Sequence, residues 1–146
     1  MASVSPGQDG ATRSADSDTG SFTVLDEDEC RALLHDGVIG RVAFSIPELT
    51  IHPVNYAWVD GLVVFRTAAT TTLAGLAGQR VAFEVDDIDS ETGVAWSVLV
   101  RGLMEEGTMA AAEKITPWAS GARPHVMVIR PTSLTGRTVS RPEEHR

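Results

Sequence analysis

The chain has 146 residues, enough for one domain around a single core. Its 12 lysines and arginines face 20 aspartates and glutamates, a formal charge of −8 that repels phosphate backbones and argues against nucleic acid as a main partner. No apolar run approaches the roughly 20 residues that cross a bilayer as a helix, so no membrane association is expected.

Single residue types narrow the classes further. Cys30 is the only cysteine, so no internal disulfide can form. The N-terminus lacks the basic start and apolar middle of a secretion signal, and a cytoplasmic location is expected. Lys114 is the only lysine beside eleven arginines. It lies in a polar segment with helical character, which argues against a pyridoxal phosphate Schiff base.

Along the chain, residues 1–21 contain little besides Ser, Gly, Ala, Asp and Thr. Such a segment cannot bury enough surface to offset its ordering entropy, so a disordered tail is expected. The domain is expected over 22–139, with a flexible C-terminus at 140–146. "VLDEDECRALLHDG" reads as a short helix: Asp26 caps it, Glu29 completes a capping box, and Gly37 ends it. Cys30, Leu33 and Leu34 form its inward stripe.

The pattern then turns to β. "VIGRVAFSI" (38–46) and "LTIHPVNYAWV" (49–59) are strands, and Pro53 requires an edge or a bulge in the second. Asp60–Gly61 is the favoured type I′ hairpin pair, followed by "LVVFRT" (62–67). A short helix is expected near 71–77. Strands follow at 80–88, 93–108 (bending near Gly102) and 125–131, and "LTGRTV" adds an edge. A helical turn is expected at 109–115. Hairpin spacing with few short helices predicts a mainly β fold, an antiparallel barrel and not a parallel sheet.

No GxGxxG motif follows a strand and no GxxxxGK[ST] motif occurs, so dinucleotide sites of the doubly wound type and P-loops are absent. "FRTAATTT" (65–72) nonetheless has the parts of an anion site. Arg66 offers a planar fork of donors, small residues let backbone N–H groups approach, and Thr70, Thr71 and Thr72 supply hydroxyls. The alternative is that the threonines cap a helix and Arg66 pairs with a surface acid. The histidines are too scattered for a metal site. The run Glu84, Asp86, Asp87, Asp89 reads as a solvated face.

Taken together, "IGRVAF", "HPVNYAWVDGLVVFRTA", "VAFEVDDID", "WSVLVRG", "PWASGARPH" and "IRPTSLTGR" resemble the actinobacterial branch of the pyridoxamine 5′-phosphate oxidase-like proteins. The resemblance covers Leu25 to Arg137. It implies a split β-barrel and a homodimer with FMN in two clefts between subunits. Pro53, Val54, Asn55 and Tyr56 would line the flavin ring; Phe65, Arg66, Thr67 and Ala68 would carry its polar edge and ribityl phosphate, with Thr71 and Thr72 alongside. Trp96, Ser97, Trp118 and Arg123 form a second tier. One position departs from the pattern: Thr72 stands where relatives commonly carry a basic residue, which removes a cation from the phosphate and opens the site to another flavin.

The resemblance implies a flavin-dependent oxidoreductase acting on a small-molecule substrate or electron donor, with no side chain required as acid or base. The alternatives are a deazaflavin-dependent reductase, which would want more basic residues, and a non-catalytic flavin- or haem-binding module. Pyridoxamine 5′-phosphate oxidation itself is not expected, because no basic residues are evident for a substrate phosphate.

Overall fold

The computed structural model describes residues 21–115 and 124–142. Seven strands form one antiparallel sheet: β1 (Ser21–Leu25), β2 (Ile39–Phe44), β3 (Thr50–Val59), β4 (Leu62–Thr67), β5 (Arg80–Asp89), β6 (Val94–Glu106) and β7 (His125–Ser140). Their spatial order is β1-β7-β4-β3-β2-β5-β6, and β6 pairs again with β7. That pairing closes six strands into a barrel, the expected mainly β architecture. Helix α1 (Glu27–Asp36) crosses the barrel, and α2 (Met109–Ala112) is a single turn.

Local chemistry sets the first elements. The Asp26 carboxylate accepts from the Glu29 N–H at 2.8 Å, and Glu29 accepts from the Asp26 N–H at 3.0 Å. This reciprocal capping box holds α1 in register. Cys30 and Leu34 from α1 are wholly buried against the barrel, with Leu33 half-buried beside them. The β3–β4 hairpin turns through Asp60 (φ 52°) and Gly61 (φ 77°), the left-handed pair that a two-residue turn needs.

Alternation divides each strand between the core and the outer surface. Val42, Tyr56, Phe65, Phe83, Val100, Met104 and Ile129 fill the barrel. A second cluster outside it packs Ala112 of α2 on Val64, Val126 and Val128. Tyr56 and Phe83 meet edge to face at 4.8 Å, and the Tyr56 hydroxyl donates to the Leu34 carbonyl at 2.6 Å.

Three expectations need correction. Ser21–Leu25 forms a strand, β1, that was not expected ahead of α1; its register runs from Ser21↔Ser140 to Leu25↔Gly136. The expected last strand and its separate edge are one 16-residue strand. A bulge at Thr132, opposite Arg101 and Gly102, absorbs the break, and the Thr132 hydroxyl donates to the Arg101 carbonyl at 3.1 Å. The helix expected near 71–77 is a four-residue 3₁₀ turn, Thr72–Gly75.

Candidate functional site

The barrel splits between β3 and β4. Their ladder covers only Tyr56–Val59 against Leu62–Phe65. Beyond that, β4 continues along β7 to Thr67↔His125, while Thr50–Asn55 is paired to β2 alone. The first half of β3 therefore has an open edge, which accommodates Pro53 because a missing N–H leaves no ladder bond unmade there. Ile51, Pro53 and Asn55 lie on the outer face, and Arg66 leaves β4 on its outer side, half-buried, in register with Val126.

Along this edge, at the barrel mouth, a cleft of about 250 Å³ separates the start of β3 from the 3₁₀ turn. Phe44, Pro47 and Leu73 form its apolar wall, and Glu48, Thr50, His52, Thr71 and Thr72 its polar lining. His52 and Glu48 carried no site role on sequence grounds, and only the fold sets them opposite Thr72.

The sequence-derived residues divide by which way their strands turn them. The Pro53 side chain is exposed on the outer face. Asn55 is half-buried and its Nδ2 donates to the Val38 carbonyl at 3.0 Å, which leaves Oδ1 as an acceptor. Val54, Tyr56 and Phe65 point into the core instead, so their side chains cannot line a ring on the outer face. Burial also holds the Tyr56 phenol well above its usual range, with a smaller push from the Asp36 carboxylate.

Thr67 is buried and its hydroxyl lies 2.6 Å from that of Thr71. Thr71 donates to the Ala68 carbonyl at 2.9 Å and caps the turn by accepting from the Ala74 N–H at 3.4 Å. Its one proton is spent, so Thr67 is the donor between the two hydroxyls. Ala68 is half-buried, and Thr72 is exposed at the cleft. A four-residue turn lacks the aligned peptides of a helix dipole. The capping alternative describes Thr71, and the anion-cradling helix start is absent.

Trp96 packs against the core from the far end of β6, and Ser97 faces outward. Trp118 and Arg123 lie outside the described residues. Among the described residues no three His, Cys, Asp or Glu side chains gather as a metal site.

The outer face holds a broad groove of about 740 Å³, lined by Phe22, Val24, Ala43, Ile51 and Leu99 around Arg41, Glu84, Ser97 and Arg137. Arg41 lies 2.6 Å from Glu84 and 2.9 Å from Asp86. These acids are thus partly neutralised and not simply solvated. The β2–β5 register Arg41↔Glu84 creates the pairing, and no local sequence signal carries it. The Arg137 guanidinium sits 5.9 Å from the Phe22 ring centre. Exposed Val24 (72%) and Ile51 (68%) extend the same apolar surface. No helix among the described residues is long and apolar enough to cross a membrane.

Comparison with known proteins places this geometry. An uncharacterized Mycobacterium tuberculosis protein, Rv0080, is 34% identical over 139 residues, which cover 87% of this chain and 91% of that protein. The structure of an FAD binding protein from Mycobacterium smegmatis shares 34% identity and a TM-score of 0.67, covering 80% of this chain and 98% of that one. A Corynebacterium glutamicum structure, provisionally named a pyridoxamine 5′-phosphate oxidase, shares 30% identity and a TM-score of 0.71, covering 84% of this chain and 96% of that one. The family model described as pyridoxamine 5′-phosphate oxidase matches residues 26–138, and the chain belongs to that family.

Proposed function

We propose that this protein is a flavin-dependent oxidoreductase that holds its flavin on the open edge of β3 and works as a homodimer. The observation that carries the reading is the split itself, which leaves the β3 edge at Pro53 and Asn55 unpaired where β4 runs on along β7 to Arg66 and Thr67. These residues fit a flavin. Pro53 offers a flat apolar contact, Asn55 Oδ1 an acceptor for a ring N–H, and Arg66 a fork of donors for the anionic tail. Ala68 and the backbone after Arg66 let the tail approach closely.

When bound, the flavin supplies the electron transfer. The chain's own residues orient it and shield one face. No acid or base is assigned among them. FMN is the flavin that the family resemblance implies. The M. smegmatis relative, an FAD binding protein by name, favours the dinucleotide as a second reading. A second observation supports FAD: among the described residues, none of the side chains lining the cleft by Thr72 is a lysine or arginine.

The dimer reading rests on the outer face. Self-association through a two-fold axis needs one self-complementary patch. The groove provides apolar surface around mixed charge, with Arg41 on two carboxylates and Arg137 nearby. Pro53 and Asn55 sit at the margin of this patch, where a second copy would close over a bound ring.

The test is Arg66→Ala, followed by flavin titration and sedimentation. Loss of a charged hydrogen bond should weaken flavin binding by about tenfold or more while the dimer persists. Unchanged affinity would mean that the tail lies elsewhere.

A further inference from the structure

Charge is unevenly divided across the outer face, and strand register shows how. Asp86 on β5 pairs with Ser97 on β6, and Ser97 pairs with Arg137 on β7. Ser97 therefore stands midway in one row, with Asp86 and Arg137 roughly 10 Å apart by strand spacing. On the Asp86 side, the Arg41 guanidinium is shared between Glu84 at 2.6 Å and Asp86 at 2.9 Å, which leaves one negative charge over. On the other side Arg137 lies over the Phe22 ring, and among the described residues it has no carboxylate partner. The two halves of the row carry opposite charge.

Such a row is complementary to itself. A two-fold axis through its middle reverses the row, so that where residue i meets j of a second copy, j meets i. With the axis beside Ser97, Arg137 of each copy faces the Glu84 and Asp86 carboxylates of the other. The small serine lets the two sheets approach, and Val24, Ile51 and Leu99 supply apolar surface around the charges. A docking that set like halves together would oppose carboxylate to carboxylate, so the pattern selects one orientation.

We propose that the homodimer is oriented by reciprocal ion pairs, Arg137 of one copy on Glu84 and Asp86 of the other, about a two-fold axis at Ser97. The inference rests on the dimer reading above and deepens it by naming the residues that choose how the copies meet. Arg41 ties this contact to the flavin edge, because it lies opposite Pro53 in the β2–β3 ladder.

The experiment is sedimentation velocity on the full-length wild type, Arg137→Glu, Asp86→Arg and an equimolar mixture of the two variants. Asp86 and Arg137 are both exposed, so both variants should fold. The wild type should be a dimer that loosens as salt is added. Each variant alone should dissociate about a hundredfold more readily, because like charges then face each other twice per dimer. In the mixture the new carboxylate of one chain meets the new guanidinium of the other, while the native groups meet across the second contact. A heterodimer close to wild-type affinity is expected, and its formation shows that both chains are folded. Arg137→Glu as dimeric as wild type, or a mixture that stays monomeric, would overturn the ion pairs and leave the dimer reading standing. A monomeric wild type would overturn the dimer reading and the ion pairs together.

Discussion

Replacing Tyr56 by phenylalanine separates a core role from a ligand role at a residue that sequence places in the site. The Tyr56 hydroxyl satisfies the Leu34 carbonyl, one of the last four carbonyls of α1, which have no partner within the helix. The ring remains against Phe83 in the variant, so packing is kept and only the hydroxyl is lost. A buried carbonyl left without a donor costs about 1–3 kcal/mol. For a domain of this size that lowers the melting temperature by roughly 5 °C. Thermal unfolding followed by circular dichroism reads the stability, and flavin titration of the folded variant reads the site. The expected outcome is a destabilised protein with unchanged flavin affinity. A variant as stable as wild type, or one that folds normally but binds flavin poorly, would refute the placement of this side chain.

Three other outcomes follow from the same structure. Gly102→Ala should destabilise the barrel, because a Cβ there would collide with the backbone carbonyl of Arg130 across the bulge; chemical denaturation measures the loss. Arg130 holds the Glu105 carboxyl below the ordinary carboxylate range through their hydrogen bonds. That pair therefore stabilises the fold above the unfolded carboxylate's titration range and loses its effect as pH falls through the folded one. Carboxyl NMR should show Glu105 returning towards the ordinary range in Arg130→Met. Burial and the neighbouring acids of α1 push the Cys30 thiol up, so alkylating reagents should modify it only under unfolding conditions; rapid reaction in the native protein would contradict its place in the core.

What the sequence made legible was local. The capping box at Asp26 and Glu29, the Asp60–Gly61 turn and the strand 62–67 all depend on neighbours within a few residues, and all appear where expected. Strand β1 was missed because its partner is the far end of β7, more than a hundred residues away. The continuity of β7 was missed for a related reason: the bulge at Thr132 that joins 125–131 to "LTGRTV" is held by flanking strands distant in sequence.

At the site, residue types were easier to read than directions. Counting along "HPVNY" puts Val54 and Tyr56 on one face and Pro53 and Asn55 on the other, but only pairing shows which face is core. The paired threonines 67 and 71 read as ligand hydroxyls and prove to bond each other. Arg41, Glu84, Asp86, Glu48 and His52 acquire their places from strand register and barrel closure, which no short motif encodes.

The central claim, that the split edge of β3 is a flavin site, is tested most directly by one spectrum. Purified protein is mixed with FMN or FAD, freed of excess by gel filtration, and its visible absorption recorded. Retention of the two-banded spectrum of oxidised flavin by the wild type, and its loss on Arg66→Ala, is the predicted result. A protein that leaves the column colourless with both flavins would contradict the claim.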